Sequence, residues 1–416
     1  MAKDNVLELA RQNGLLGDPL TQLIREGARE LVHRAVTSEL QSLLSLYEDE
    51  VDEAGRARVV RNGYHPEREI QTGIGPVTVK VPKVRARSGE PVTFHSALVP
   101  PYVRKAKSLE AALPWLYLKG VSSGEMEDAL KVLVGPEATG LSANTVSRLK
   151  KEWAGEYDSW RQFRLDTDEW VYIWADGIYS GLRAEDVKLC TLVVIGVNSL
   201  GRKKFLAIED GVRESTQSWR EVLVKLKSRG MNTPKLAVGD GAMGFWAALD
   251  EVFSQTRHQR CWVHKTNNIV GYLPKSLQDK ARACLKDIWM APTKAKAEVA
   301  FDLFVEQFEG KYPKAVECLL KDQHDLLSFY DFPQMHWQSI RTSNPIESTF
   351  ATIRHRTKRS KGCLKRDGML HMMFKLSQCA QGSWQKLRGF ADLGKVITGI
   401  NFKDGIEQAE AVQNAA

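Results

Sequence analysis

The sequence predicts a mixed α/β core interrupted by an all-α insertion and preceded by helical regions and a small β ribbon. Three observations predict it. Val171–Ala175, Leu189–Val197 and Lys204–Ile208 are strand-like apolar runs joined by short polar turns, and Asn198–Gly201 has hairpin chemistry. A helical pattern at Thr216–Arg229, a strand at Leu236–Val238 and a helix at Phe245–Val252 follow, so strands and helices share one core. Residues 267 to about 335 then read almost purely helical, rich in Lys, Ala, Leu and Phe. With 416 residues, 43% of them hydrophobic and 26% charged, the chain is expected to form two or three soluble globular domains.

The N-terminal third is read in three parts. In residues 1–60, Leu20, Leu23, Ile24, Leu31, Val32, Val36, Leu40, Leu43 and Leu44 recur at three- and four-residue steps, the face of a helix that packs in its own domain or against a second copy. Residues 61–105 are expected to form a β ribbon, with a turn at Gly73–Pro76 and alternating Val77, Val79 and Val81. Lys80, Lys83, Arg85 and Arg87 make it basic. Residues 106–160 have the cadence of a helix-turn-helix: helices near Leu109–Lys119 and Glu125–Val134, then a third, N-capped by Ser142, through Leu141–Trp153. Its first turns carry Asn144, Thr145, Arg148, Lys150 and Lys151, short polar and basic groups suited to a major groove. A plain three-helix bundle has the same pattern, so both readings stand.

The element order β-β-β-α-β-α over residues 168–266 is that of an RNase H-like domain with a mixed sheet. It places Asp176 at the end of the first strand and Asp240 just after the fourth, where adjacent central strands bring them together. The wide gap between Asp240 and Glu347 is accounted for by the α-helical insertion, residues 267–336, with the second part of the core, residues 337–402, carrying the Glu347 helix. Residues 403–416 read as a flexible tail.

Two strand-end aspartates and a helix-borne glutamate form a donor set for hard divalent cations. Mg2+, or Mn2+ in its place, takes oxygen ligands and keeps several waters, so one or two carboxylates per ion suffice. Two ions about 4 Å apart activate an attacking water or 3′-hydroxyl and stabilise the leaving oxygen of a phosphodiester. Asp176 would bridge both ions, with Asp240 and Glu347 each holding one. Each carboxylate also has an ordinary account. Asp-Gly after a strand is often a turn. Glu347, with Asn344 as N-cap and Pro345 at N1, falls at the capping-box position.

Three further features have two readings each. Cys261 and His264 form a CxxH pair, which is half a zinc site or a packed hydrogen-bonded pair beside the carboxylates; no second pair lies at a zinc-like spacing. Trp337 fills core or stacks on a base in a DNA path. The run from Arg354 to Arg366, with Arg354, Arg356, Lys358, Arg359 and Lys361, is a solvated helix face or a phosphate-neutralising surface behind Glu347.

Composition narrows the classes. Net charge is +8 with a pI near 9.0, which favours polyanionic partners. No apolar stretch approaches the roughly 20 residues of a membrane span, and residues 1–5 lack a signal-peptide layout. The six cysteines are scattered without CxxC spacing, as expected in a reducing cytoplasm. No Walker motif is present, so no nucleotide cofactor is expected.

Asp176–Tyr179 (DGIY), Gly239–Gly244 (GDGAMG), Gln259–Asn268 (QRCWVHKTNN) and Arg341–Glu347 (RTSNPIE) followed by Arg354–Lys358 resemble the motifs of the Mutator-type transposases of bacterial insertion sequences. Arg61–Tyr64 and the Gly120–Ser123 region are similar too, so the resemblance runs from about residue 20 to 400. It implies a DDE transposase with an RNase H-like core, an α-helical insertion and N-terminal DNA-binding elements. Asp176, Asp240 and Glu347 match the catalytic triad, and Cys261 with His264 matches the family's CxxH signature. It further implies a homodimer acting in the bacterial cytosol, at the nucleoid, on double-stranded DNA: its own terminal inverted repeats and a target. One departure is Ser343-Asn-Pro where Thr-Asn-Ala is more usual. Two rivals fit the same residues, a structure-selective nuclease on this fold and a DNA-binding protein derived from a transposase but catalytically silent.

Overall fold

The computed structural model describes residues 19–52, 54–106, 109, 116, 121, 125–134, 143–182, 185–241, 243–344, 346, 350 and 365–408. The chain divides into two compact units, Met1–Leu149 and Lys150–Ala416. Among the described residues no helix is long and apolar enough to cross a membrane.

In the first unit the N-terminal periodicity becomes one long helix, α1 (Pro19–Ser45). Only its C-terminal half buries apolar side chains: Val36 and Leu40 join Ile70, Val77, Val79, Phe94 and Val99 in a small core. The region expected as a single ribbon is two. Strands β1 (Val59–Tyr64) and β4 (Pro82–Ala86) pair antiparallel, and between them β2 (Arg68–Thr72) and β3 (Gly75–Val79) form a separate hairpin. Gly75 has φ +101, and the Arg25 guanidinium occupies the space a Cβ would need, so the β2–β3 turn requires glycine there. Of the three expected helix-turn-helix segments, the second is present as α2 (Met126–Val134) and the third as α3 (Ala143–Gln162), longer than expected. Most of the first, near Leu109–Lys119, lies outside the described residues.

The second unit is built on a five-stranded mixed sheet, order β7-β6-β5-β8-β9. Its strands are β5 (Trp170–Leu182), β6 (Glu185–Asn198), β7 (Lys203–Gly211), β8 (Leu236–Gly239) and β9 (Arg257–Arg260). The first three form an antiparallel meander, while β8 and β9 run parallel to β5. The expected Asn198–Gly201 turn joins β6 to β7, with Gly201 at φ +74 donating its N–H to the Asn198 carbonyl at 2.8 Å.

The Trp170–Ala175 stretch of β5 and all of β8 are buried, as continuous apolar runs in parallel central strands are. On one face lie α4 (Thr216–Ser228), through Trp219, Val222, Leu223 and Leu226, and α5 (Met243–Val252), through Phe245, Ala248 and Leu249. The Val, Leu and Phe side chains among these each contribute about 1.5–3 kcal/mol by leaving water. Beyond the sheet come α6 (Trp262–Val270), α7 (Lys275–Met290), α8 (Lys294–Phe308) and α9 (Pro313–Leu320), the helical stretch the composition announced. Trp262 of α6 meets Phe301 of α8 with ring centroids 6.1 Å apart, an aromatic contact between these helices. Helix α10 (Arg366–Gln381) packs against β7.

Two details depart from expectation. β9 was not foreseen, because Arg-His-Gln-Arg carries no strand signal. It is an edge strand whose buried Gln259 receives the Phe329 N–H at 2.7 Å and donates to the Leu326 carbonyl at 3.2 Å. Asp176 is not at a strand end: β5 continues to Leu182 because β6 pairs with it past that point, Asp176 opposite Val193 and Tyr179 opposite Cys190.

Candidate active site

The parallel register of β5 and β8 sets Ala175 beside Gly239, so the next residue on each strand is an aspartate, Asp176 and Asp240. The chain turns sharply after Asp240. Gly241 has φ +90, and a Cβ there would fall 1.4 Å from the Arg260 guanidinium nitrogen, so only glycine fits between Asp240 and β9.

Asp176 is 7% exposed and accepts the Gly177 N–H at 2.8 Å on Oδ1. Burial first and the nearby Asp240 second push its carboxyl up to about 7, against the opposing pull of His264 and the Gly177 N–H. A third carboxylate stands close by. Glu214, in the loop between β7 and α4, has its carboxyl raised by burial and by Asp240, with Tyr179 and His264 opposing, and it adds to the field on Asp176. Its Oε2 is buried without a hydrogen-bond partner. Two glycines make room for it: a Cβ on Gly177 would lie 2.5 Å from the Glu214 carboxyl carbon, and one on Gly244 would lie 2.4 Å from the Glu214 carbonyl oxygen.

On the other side of the aspartates is the CxxH pair. Cys261 is the N-cap residue of α6, its N–H bonded to the Gly239 carbonyl at 2.8 Å. Its buried thiol lies 3.2 Å from the Ser343 hydroxyl and receives the Ser343 N–H at 3.2 Å. Ser343 Oγ is 3.3 Å from His264 Nδ1. The hydrogen bond with Cys261, opposed by burial and helped by the charges of Cys261, Asp176 and Asp240, raises the His264 imidazole to about 9. Against burial, hydrogen bonds from His264 and Ser343 hold the thiol below its ordinary value. The His264 imidazole therefore keeps its proton at neutral pH beside Asp176 and Asp240. The Trp262 N–H bonds the Arg341 carbonyl at 3.0 Å, so the start of α6 is tied at two points to the segment 341–343 that leads towards Glu347.

The oxygen donors of Asp176, Asp240 and Glu214 suit a hard divalent cation, and burial with the neighbouring acidic side chains leaves the Asp176 carboxyl raised. Among the described residues, however, no three His, Cys, Asp or Glu side chains converge closely enough to hold a metal ion. That leaves Cys261 and His264 as a hydrogen-bonded pair with no zinc partners among them. Glu347 lies outside the described residues, as do Arg354, Arg356, Lys358, Arg359 and Lys361.

The other expected contacts are distributed as follows. Asn144, Thr145 and Arg148 lie on the first turns of α3, and Lys151, farther along it, is exposed. Trp337 is 6% exposed, its indole N–H bonded to the Phe332 carbonyl at 2.8 Å and its ring edge-on to Phe329 and Tyr330. It fills core, and the base-stacking reading falls. Glu214 was missed because nothing in Gly211-Val-Arg-Glu is a motif; only the glycines at 177 and 244 hinted that something approaches there.

The profile described as "Transposase, Mutator family" matches residues 2–386. The chain is 48% identical over 282 residues to the transposase for insertion sequence element IST2 of Acidithiobacillus ferrooxidans, covering 68% of this chain and 95% of that protein. It is 44% identical over 297 residues to the transposase for insertion sequence element IS6120 of Mycolicibacterium smegmatis, covering 71% and 92%. A more distant likeness, 28% over 350 residues and 82% of each chain, is to the transposase for insertion sequence element IS1081 of Mycobacterium tuberculosis. With the paired aspartates, the CxxH cluster and a match spanning nearly its whole length, the chain belongs to the Mutator family of transposases.

Proposed function

We propose that this transposase works as a DDE enzyme on an RNase H-like core, cutting DNA at the terminal inverted repeats of its insertion sequence and joining the freed 3′-end to a target. The observation that carries the proposal is the placement of Asp176 and Asp240 side by side on parallel central strands, with the Asp176 carboxyl pushed up by burial and by its neighbour. Asp176, Asp240 and Glu347 would hold two Mg2+ or Mn2+ ions. When bound, such ions lower the pKa of an attacking water or 3′-hydroxyl and stabilise the leaving oxygen.

The chain's own residues do the rest. The rigid β5–β8 register fixes the two aspartates, so little ordering is required when a phosphodiester arrives. His264, cationic at neutral pH, offsets part of their negative charge and holds Ser343 at the root of the Glu347 segment. In strand transfer the 3′-hydroxyl oxygen bonds to the target phosphorus as the phosphorus–oxygen bond on the far side breaks, releasing a new 3′-hydroxyl. One phosphodiester replaces another, so no nucleotide is consumed. A homodimer would bring both element ends to one complex.

The test is cleavage and strand transfer on labelled DNA carrying the element's own ends, in Mg2+ or Mn2+, with Asp176→Asn and Glu347→Gln alongside. Metal-dependent 3′-end joining by the wild type, absent in both variants while end binding persists, is the expected result. Tight end binding without cutting by the wild type would instead describe a silent binder, and wild-type rates in either variant would remove that residue from the chemistry.

A further inference from the structure

Basic charge in the first compact unit is concentrated in one stretch. Between residues 54 and 106 stand ten Lys or Arg against three acidic side chains, a balance of +7 beside +8 for the whole chain. Several of these cations are engaged internally. Arg56 pairs with Asp52, Arg58 with Glu50 and Lys80 with Glu67. Arg68 donates to the carbonyls of Val99, Pro100, Pro101 and Val103, pinning the loop that covers the small core.

Lys83, Arg85 and Arg87 are different: they make no ion pair among the described residues, and Arg85 and Arg87 are exposed. They occupy alternate positions along β4 and its continuation. The register pairs Val59 with Ala86, Val60 with Arg85 and Arg61 with Val84. Val59 is buried and Val84 packs on the small core, so that face of the ribbon turns inward. Alternation along a strand then sends Lys83, Arg85 and Arg87 outward in one row, at steps of roughly 6.8 Å. On β1, the exposed Arg61 guanidinium, opposite Val84 and so not part of this row, sits 4.5 Å from the Tyr64 ring centroid, and the β1–β4 register shifts between those residues. Such a bulge increases the twist of a ribbon. His65 lies in the same positive field: burial, then Lys83, His95 and Arg68, hold its imidazole below the ordinary value.

A twisted two-stranded antiparallel ribbon is one of the two protein elements that the major groove of DNA admits. Unpaired cations in a row on its outer face meet phosphates without first giving up an internal partner. We propose that the outer face of the β1–β4 ribbon, through Lys83, Arg85 and Arg87, is a docking surface for the phosphate backbone of double-stranded DNA. This surface is separate from the α3 and Arg354–Arg366 contacts expected from sequence, and the proposal rests on the reading of the chain as a DNA-acting transposase.

The experiment uses the full chain, a fluorescently labelled mixed-sequence DNA duplex and a salt titration. The variant is Lys83→Gln with Arg85→Gln and Arg87→Gln. A charge-matched control, Lys280→Gln with Lys286→Gln and Lys296→Gln, removes three exposed lysines of α7 and α8. The ribbon variant should bind roughly tenfold or more weakly at low salt and show a salt slope smaller by about 3, while the control matches wild type. Acetylation of the wild-type protein gives an independent reading without any variant: duplex should protect Lys83 and leave Lys286 reactive. Equal losses in ribbon variant and control, or unprotected Lys83 in a saturated complex, would overturn the proposal. So would a ribbon loss seen only with single-stranded DNA or RNA. A wild-type protein that binds no duplex at all would instead overturn the transposase reading beneath it, so the two failures are distinguishable.

Discussion

Asp176 is where burial and charge compete most directly. Its carboxyl is raised to about 7 in the folded protein, from 3.8 in the unfolded chain. Between these values the folded state binds more protons, so the contribution of this group to stability is greatest at low pH. It falls as pH rises from about 4 to 7, and is level above that. His264 has the same sign for a different reason: its folded value of about 9 means its contribution is complete below 6.5 and is lost as pH rises towards 9. Asp176→Asn removes the buried charge and leaves the hydrogen-bonding shape nearly intact. We expect it to stabilise the metal-free protein by on the order of 3 kcal/mol at pH 8 and by little at pH 4, while abolishing cleavage. Thermal unfolding in EDTA at the two pH values checks this; an equal change in midpoint at both would show that Asp176 is not held in the raised state. A residue whose removal stabilises the fold and destroys the reaction is one retained for function.

At the scale of elements, the link between the sheet and the helices beyond it is an ion cluster. Asp322, just after α9, accepts from Arg260 at the end of β9 at 2.9 Å and from Lys265 on α6 at 2.6 Å. Lys265 is 2% exposed at its side chain and has this carboxylate as its ion-pair partner. Together the two cations hold the Asp322 carboxyl, against burial, below its ordinary value. Asp322→Ala leaves a buried ammonium and a nearly buried guanidinium facing each other, which costs about 3–5 kcal/mol. Because Arg260 also fills the space behind Gly241, the loss should reach Asp240 and lower divalent-ion affinity as well as the urea midpoint. An unchanged midpoint would mean that the helices are held by their apolar contacts alone.

The elements also show what could be read in the chain beforehand. β5, β6, β7, α4, β8 and α5 were legible because their apolar runs have a clear period and are punctuated by turn chemistry at Asn198–Gly201 and Pro234. β9 was not, since an edge strand whose one fully buried polar side chain is a glutamine looks like a loop. Asp176 was legible as a residue of the first core strand, although Gly177 suggested a strand end; the strand continues because its partner β6 is long. Glu214 was illegible because its place depends on two glycines distant in sequence, and Trp337 was overread because burial of an indole leaves no local trace.

On the scale of the whole molecule, the two units differ in core, and the basic charge of the first is gathered in residues 54–106. The second unit contains the full five-stranded sheet, its covering helices and both described aspartates. The first contains the β1–β4 ribbon and α2, with a core of seven buried apolar side chains from α1, β2, β3 and the segment after β4. Helix α3 spans the boundary at Leu149 and Lys150, so a clean dissection must start ahead of it. We expect a fragment of residues 143–416 to fold cooperatively, because a five-stranded sheet with helices packed on it buries enough apolar surface to offset the entropy of ordering the chain. It should keep Mn2+ binding, measured by calorimetry, with the affinity of the full chain. Its duplex affinity should fall at least tenfold and lose much of its salt dependence, because the +7 segment is gone. If the fragment folds and binds duplex as tightly as the full chain, DNA affinity resides in the second unit and its basic run Arg354–Arg366. If it folds but no longer binds Mn2+, the first unit completes the metal site, and the division of labour between the two units is wrong.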